Sequence, residues 1–256
     1  MLIDTHCHLD FAEFSADRDE VLKRAQAAGV EYIINVASSL ENSRAAVSLS
    51  NNYISIFSSA GIHPHDAKDF SKEALAEISE LADNKRVVAI GEVGLDFYRN
   101  LSESYVQEEV FRKFINLAED KNLPLIIHSR AADEDTLRVI KEERFKNMRA
   151  VVHCFSGSGQ FLESCLELGF YISYTCNITY KKAHDLCELV KSTPLDKLML
   201  ETDAPYLSPE GFRGRRNEPM HIKLLAEKIA EIKEITFKEV ADKTSENAKA
   251  LFKLKI

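Results

Sequence analysis

The stretch at residues 3–10, IDTHCHLD, decides how the rest of the chain reads. A short apolar run ends in two histidines one residue apart, and Asp4, His6, His8 and Asp10 share one parity. Strand side chains alternate faces, so His6 and His8 point the same way and can share one ion. A doubly wound sheet would carry a glycine-rich phosphate loop after its first strand. The polar run DTHCH stands there instead, which turns the reading towards a metal-binding barrel.

Working outward, short apolar runs alternate with amphipathic stretches to the end of the chain. The strand-like runs are 2–6, 32–37, 54–61, 87–91, 124–128, 150–153, 170–174 and 198–201. Their near-continuous apolar character is that of strands buried on both faces of a parallel sheet. Helical patterns fall at 15–28, 71–82, 105–120, 186–190 and 221–232. A capping box, Thr236 with Glu239, precedes a last helix through Phe252. Loops are short and glycine and proline scarce, so residues 1–256 read as a single α/β domain, a TIM (β/α)8 barrel.

In such a barrel the chemistry sits where strands end. His6 and His8 follow strand one, and His63 and His65 in GIHPH follow strand three. Glu92 and Asp96 in GEVGLD follow strand four, with His128 and Arg130 in HSR after strand five. His153 follows strand six, and Glu201 and Asp203 in ETDAP follow strand eight. Six of the eight histidines stand at strand ends; His184 and His221 lie in helix-like polar stretches. Imidazole with carboxylate suits Zn²⁺ or Mn²⁺ better than Mg²⁺, which prefers all-oxygen sites. Four imidazoles are more than one catalytic ion takes, so two divalent cations bridged by Glu92 is the economical solution. Gly91 and Gly94 leave room for close approach. His63 and His65 flank Pro64 and read equally as loop residues or as contacts to substrate.

The motifs LIDTHCHLD, GEVGLD, PLIIHSRAADED, VVHCFSG and KLMLETDAPYLSP, spread over residues 2–209, resemble those of the TatD family of metal-dependent deoxyribonucleases. The resemblance implies a barrel hydrolase of the amidohydrolase type with metal ligands His6, His8, Glu92, His128, His153 and Asp203. It further implies hydrolysis of DNA phosphodiesters, from an end, by a metal-activated water. Asp203 and Glu92 are then the catalytic carboxylates, with Asp203 taking the proton of the water. Asp4 and Glu201 share parity with ligands and are candidates to hold imidazole N–H groups. Arg130, Arg213 and Arg215 are candidate phosphate contacts, with Arg216 in the same basic loop; Tyr98 or Phe97 could stack on a base. The rival is the same centre acting on carbon, as an amidase, esterase or aminoacyl-tRNA deacylase.

A formal charge of −8 argues against a protein that coats nucleic acid, but not against an enzyme gripping a few phosphates beside two dications. No run of ~18 uncharged apolar residues predicts a membrane span. The start lacks a basic region followed by an apolar one, so a cytoplasmic location with no obligate protein partner is expected. Five cysteines without a CxxC pattern read as free, buried thiols.

Overall fold

A computed structural model describes residues 1–256. Its eight parallel strands are β1 (Leu2–Cys7), β2 (Val30–Asn35), β3 (Ile56–Ala60), β4 (Val87–Asp96), β5 (Leu125–Arg130), β6 (Ala150–Val152), β7 (Tyr171–Tyr174) and β8 (Leu198–Leu200). Each pairs with the next in chain order. The seam between β8 and β1 is joined by a bridge of Cys7 with Ala204. There the Asp203 N–H donates to His6 O at 2.9 Å and the His8 N–H to Ala204 O at 2.8 Å. The result is a nearly closed TIM barrel.

Helices α1 (Arg18–Ala27), α2 (Leu40–Asn52), α3 (Lys72–Leu81), α4 (Ser104–Lys121), α5 (Asp133–Glu142), α6 (Gly159–Glu167), α7 (His184–Ser192) and α8 (Ile222–Lys233) follow the strands in turn. A ninth, α9 (Phe237–Phe252), opens on the expected capping box: Thr236 accepts the Glu239 N–H and Glu239 returns the bond. Helices α2, α5 and α6 were not expected from the pattern. The inner face of α2 is Ser43, Ala46, Val47, Leu49 and Ser50, too small and polar to make an apolar stripe. Helices α5 and α6 each bury only three residues.

Four strand boundaries need correction. β2 is Val30–Asn35 rather than 32–37, and β5 runs on to Arg130 rather than ending at 128. β3 begins at Ile56, not Ile54, whose side chain is 88% exposed. β4 runs on past Gly91 to Asp96, so Glu92 lies within the strand. That extension depends on two glycines facing β5. A Cβ on Gly91 would lie 2.6 Å from Ile126 Cβ, and one on Gly94 would lie 2.0 Å from His128 O. Both have positive φ, 157° and 142°.

Two apolar layers result. One packs the outer helices on the strands. The smaller one joins Ile3, Phe57, Val88, Ile126, Val151 and Met199 from six strands with Ala248, Leu251 and Phe252 of α9. This is the floor of the barrel, and α9 plugs it. Burying one such side chain contributes about 1.5–3 kcal/mol. Two residues beyond three of these positions stand His128, His153 and Glu201, on the same face and one step nearer the mouth.

Candidate metal centre

Glu92 stands at the middle of that mouth. Its Oε2 lies 3.2 Å from His6 Nε2. Its Oε1 lies 2.7 Å from both His128 Nδ1 and His153 Nε2, and 3.2 Å from His63 Nε2. Asp203 Oδ1 is 3.3 Å from His8 Nε2 and 3.8 Å from His6 Nε2. The structure therefore brings His6, His8, Glu92, His128, His153 and Asp203 together from five strand ends, and adds His63. Three groups have donor atoms within 4.8 Å of one another: His6, His8 and Asp203; His6, His153 and Glu201; His63, Glu92 and His128.

The donor chemistry fits cations. Both ring nitrogens of His6, which is fully buried, and Nδ1 of His153 lack a hydrogen-bond partner. An unpaired buried polar atom costs about 1–3 kcal/mol, which coordination removes. Burial opposes charge on Glu92, but the imidazoles of His153, His63 and His128 outweigh it and hold the carboxyl well below its ordinary range. Asp203 is likewise lowered, burial being outweighed by the bond from His8. Burial alone would lower His8, yet Asp203 raises it to about 9. Protons and cations thus compete for the same nitrogens.

Several side chains orient this cluster. The His8 Nδ1–H donates to Val36 O at 2.8 Å. Asp96 Oδ2 lies 3.1 Å from His128 Nε2 and 3.0 Å from His65 Nε2, and Asp96 Oδ1 accepts the Arg99 N–H at 2.7 Å. Asp96 stands beside Glu92 at the expected end of strand four, but only the longer β4 shows its role, because Glu92, Gly94 and Asp96 share one face of that strand. Glu201 Oε1 is 3.5 Å from His153 Nδ1 and Oε2 is 4.0 Å from His6 Nδ1. The hydrogen bonds of Glu201 come from the Cys154 N–H at 2.6 Å and Ser173 Oγ at 2.7 Å. Asp4 does not hold an imidazole: it accepts the Thr202 N–H at 2.9 Å and so pins the ETDAP turn. Burial raises Asp4 to about 7.

The rim is cationic and aromatic. Arg130 is exposed, with its guanidinium 4.1 Å from the ring centre of Tyr98, itself 67% exposed. Arg213 lies 4.7 Å over Tyr180. Arg213 and Arg215 are exposed, whereas Arg216 is bound to Asp17 and Glu218 and lies over Phe14. Phe97 is packed against the core. His221 is buried rather than in a polar helix face: its Nδ1 meets Asn217 Oδ1 at 2.8 Å. All five thiols are free, and Cys154 and Cys187 are only half-buried.

A nearly closed parallel barrel with imidazoles and carboxylates converging at its C-terminal mouth defines a metal-dependent hydrolase of the TIM-barrel class. The family model described as TatD related DNase matches residues 3–253, and the chain belongs to the TatD family. It is 44% identical over 254 residues to the uncharacterized metal-dependent hydrolase YabD of Bacillus subtilis, covering 99% of this chain and 100% of that one. It is 38% identical over 259 residues to the 3'-5' ssDNA/RNA exonuclease TatD of Erwinia tasmaniensis, covering 99% and 100%. The crystal structure of YJJV, a TatD homolog from Escherichia coli K12, superposes with a TM-score of 0.94 at 33% identity, covering 99% and 98%. No helix is long and apolar enough to cross a membrane.

Proposed function

We propose that the chain is an exonuclease that hydrolyses phosphodiester bonds at the ends of DNA. His6, His8 and Asp203 would hold one divalent cation and His128 and His153 a second, with the Glu92 carboxylate available to both. Zn²⁺ and Mn²⁺ suit this donor set better than Mg²⁺. When bound, the cations acidify a water and polarise a phosphoryl oxygen. Asp203, kept ionised by His8, would orient the attacking water and accept its proton. Asp96 fixes the ring of His128, and Arg130, Arg213, Arg215 and His65 bind the flanking phosphates.

The observation that carries the nucleic-acid part is the rim. Arg130 on Tyr98 and Arg213 on Tyr180 each put a phosphate-binding fork beside an aromatic face on which a base can stack. The relative named as an ssDNA/RNA exonuclease supports the same reading. Digestion of end-labelled single- and double-stranded DNA, with RNA, ester and amide substrates alongside and Mn²⁺, Zn²⁺ or Mg²⁺ added to stripped protein, tests it. Metal-dependent shortening from one end is expected. Ester or amide turnover with intact oligonucleotides would transfer the centre to carbon chemistry.

A further inference from the structure

His63 follows β3 in GIHPH, and its two ring nitrogens have different partners. Nδ1 accepts the backbone N–H of His65 at 3.1 Å. A neutral imidazole has one N–H and one lone pair. With the lone pair engaged at Nδ1, the hydrogen sits on Nε2. That Nε2 faces the centre, 3.2 Å from Glu92 Oε1 and 3.4 Å from His128 Nδ1.

A ligand needs the opposite polarity, a lone pair on the nitrogen turned towards the ion. His8 can supply it: Nδ1–H is spent on Val36 O, so the nitrogen that a cation can deprotonate is Nε2, beside Asp203. So can His128. Its Nε2 faces the Asp96 carboxylate, an acceptor only, so in the neutral ring Nε2 carries the hydrogen and the lone pair falls on Nδ1, the atom turned to Glu92. By distance alone His63 groups with Glu92 and His128 as a possible ligand. By hydrogen-bond polarity it is a donor.

We propose that His63 is not a ligand but a catalytic hydrogen-bond donor, its Nε2–H bonding a non-bridging oxygen of the phosphoryl group under attack. The proposal rests on the phosphodiester reading above. Negative charge builds on that oxygen as the bond from phosphorus to water forms and the bond to the leaving oxygen breaks. An N–H held at the centre, beside Glu92 and His128, would stabilise it as the charge develops. The hydrogen stays on Nε2 throughout, since a neutral imidazole that gave it up would become an anion.

The support for this donor is built in. Pro64 opens a 3-10 turn, Pro64–Asp69, in which the Asp66 N–H donates to His63 O at 2.9 Å. The ring of His65 is held by Asp96 at 3.0 Å and its carbonyl accepts from Ser102 Oγ at 2.8 Å. The backbone N–H that sets the polarity of His63 therefore cannot swing away.

The experiment compares His63→Leu and His63→Gln with His128→Ala, all checked for folding by circular dichroism. Bound metal is measured by mass spectrometry after equilibration with limiting Mn²⁺, and kcat and KM on a single-stranded oligonucleotide. Both His63 variants should keep the metal content of the unsubstituted enzyme, whereas His128→Ala should lose metal. His63→Leu should lower kcat about 10²–10³-fold with little change in KM. His63→Gln, whose amide can donate from a similar place, should recover at least about tenfold of that loss. Metal loss in both His63 variants would make the residue a ligand and overturn the proposal. So would equal kcat in the Leu and Gln variants, or a His63→Leu kcat equal to that of the unsubstituted enzyme. An enzyme that turns over esters but not oligonucleotides would overturn the phosphoryl assignment, while the metal assay still decides between ligand and donor.

Discussion

The floor and the mouth of the barrel are built on the same strands, two residues apart, and obey opposite rules. On β5 the step from Ile126 to His128 passes from the apolar plug to the centre. Val151 to His153 and Met199 to Glu201 make the same step. Below, every side chain gains from leaving water. Above, Asp4, His6, His8, Glu92, Asp96, His153 and Glu201 are buried although ionisable, at a cost that protons or cations must offset. The difference teaches a division of labour: the floor holds the strands in register so that the mouth can keep an arrangement that does not stabilise the fold.

That division can be broken most directly at Glu92. Glu92→Ala removes the only group that touches His6, His63, His128 and His153 at once. Activity should fall to background and bound metal should drop, while the circular dichroism spectrum stays that of a folded barrel. A chain unfolded by this change would mean that the mouth carries stability after all. The converse is Phe252→Ala in the plug. It should cost about 3–5 kcal/mol in a denaturant titration, with kcat of the folded protein unchanged. A kcat loss matching that at Glu92 would erase the distinction between the two layers. Asp96→Asn is a smaller intervention: it keeps an acceptor but removes the charge shared by His65 and His128. Metal affinity should weaken about 10–100-fold, read by competition with a chelator.

The same contrast sorts what the sequence made legible. A strand end buried on both faces leaves an apolar run closed by a histidine, as in PLIIH and VVH, and it is the repetition of that pattern at several strand ends that marks a site. The six expected ligands were therefore placed together by parity and topology alone. Asp96 was hidden because glycines at 91 and 94 look like a strand's end, whereas here they let β4 press against β5. The polarity of His63 was hidden for a different reason. It depends on one backbone N–H two residues away, and no spacing rule reports that. Helix α2 was missed because its buried face includes Ser43, Ala46 and Ser50, which the strands accept but an apolar periodic pattern does not show. The role of Arg216 also needed three dimensions, since Asp17 is remote in sequence.

That last pairing gives the smallest and most discriminating effect. Arg213 and Arg216 stand three residues apart in one basic loop. Arg216 is consumed by ion pairs: together with Arg24 it holds the Asp17 carboxyl down at about 2, so the pair stays charged throughout the neutral range. Arg213 has only the face of Tyr180 for a partner and leaves its guanidinium open to solvent. If the rim binds phosphates, Arg213→Ala should weaken oligonucleotide binding a few-fold. It should also reduce the slope of log affinity against log salt by about one contact, roughly 0.7 for a single strand. Arg216→Ala should leave that slope alone and instead loosen the loop, seen as faster proteolysis near residues 209–216. Equal slopes for both variants and the unsubstituted enzyme would remove the rim from substrate binding. A slope change at Arg216 rather than Arg213 would mean that the loop rearranges when a nucleic-acid strand arrives.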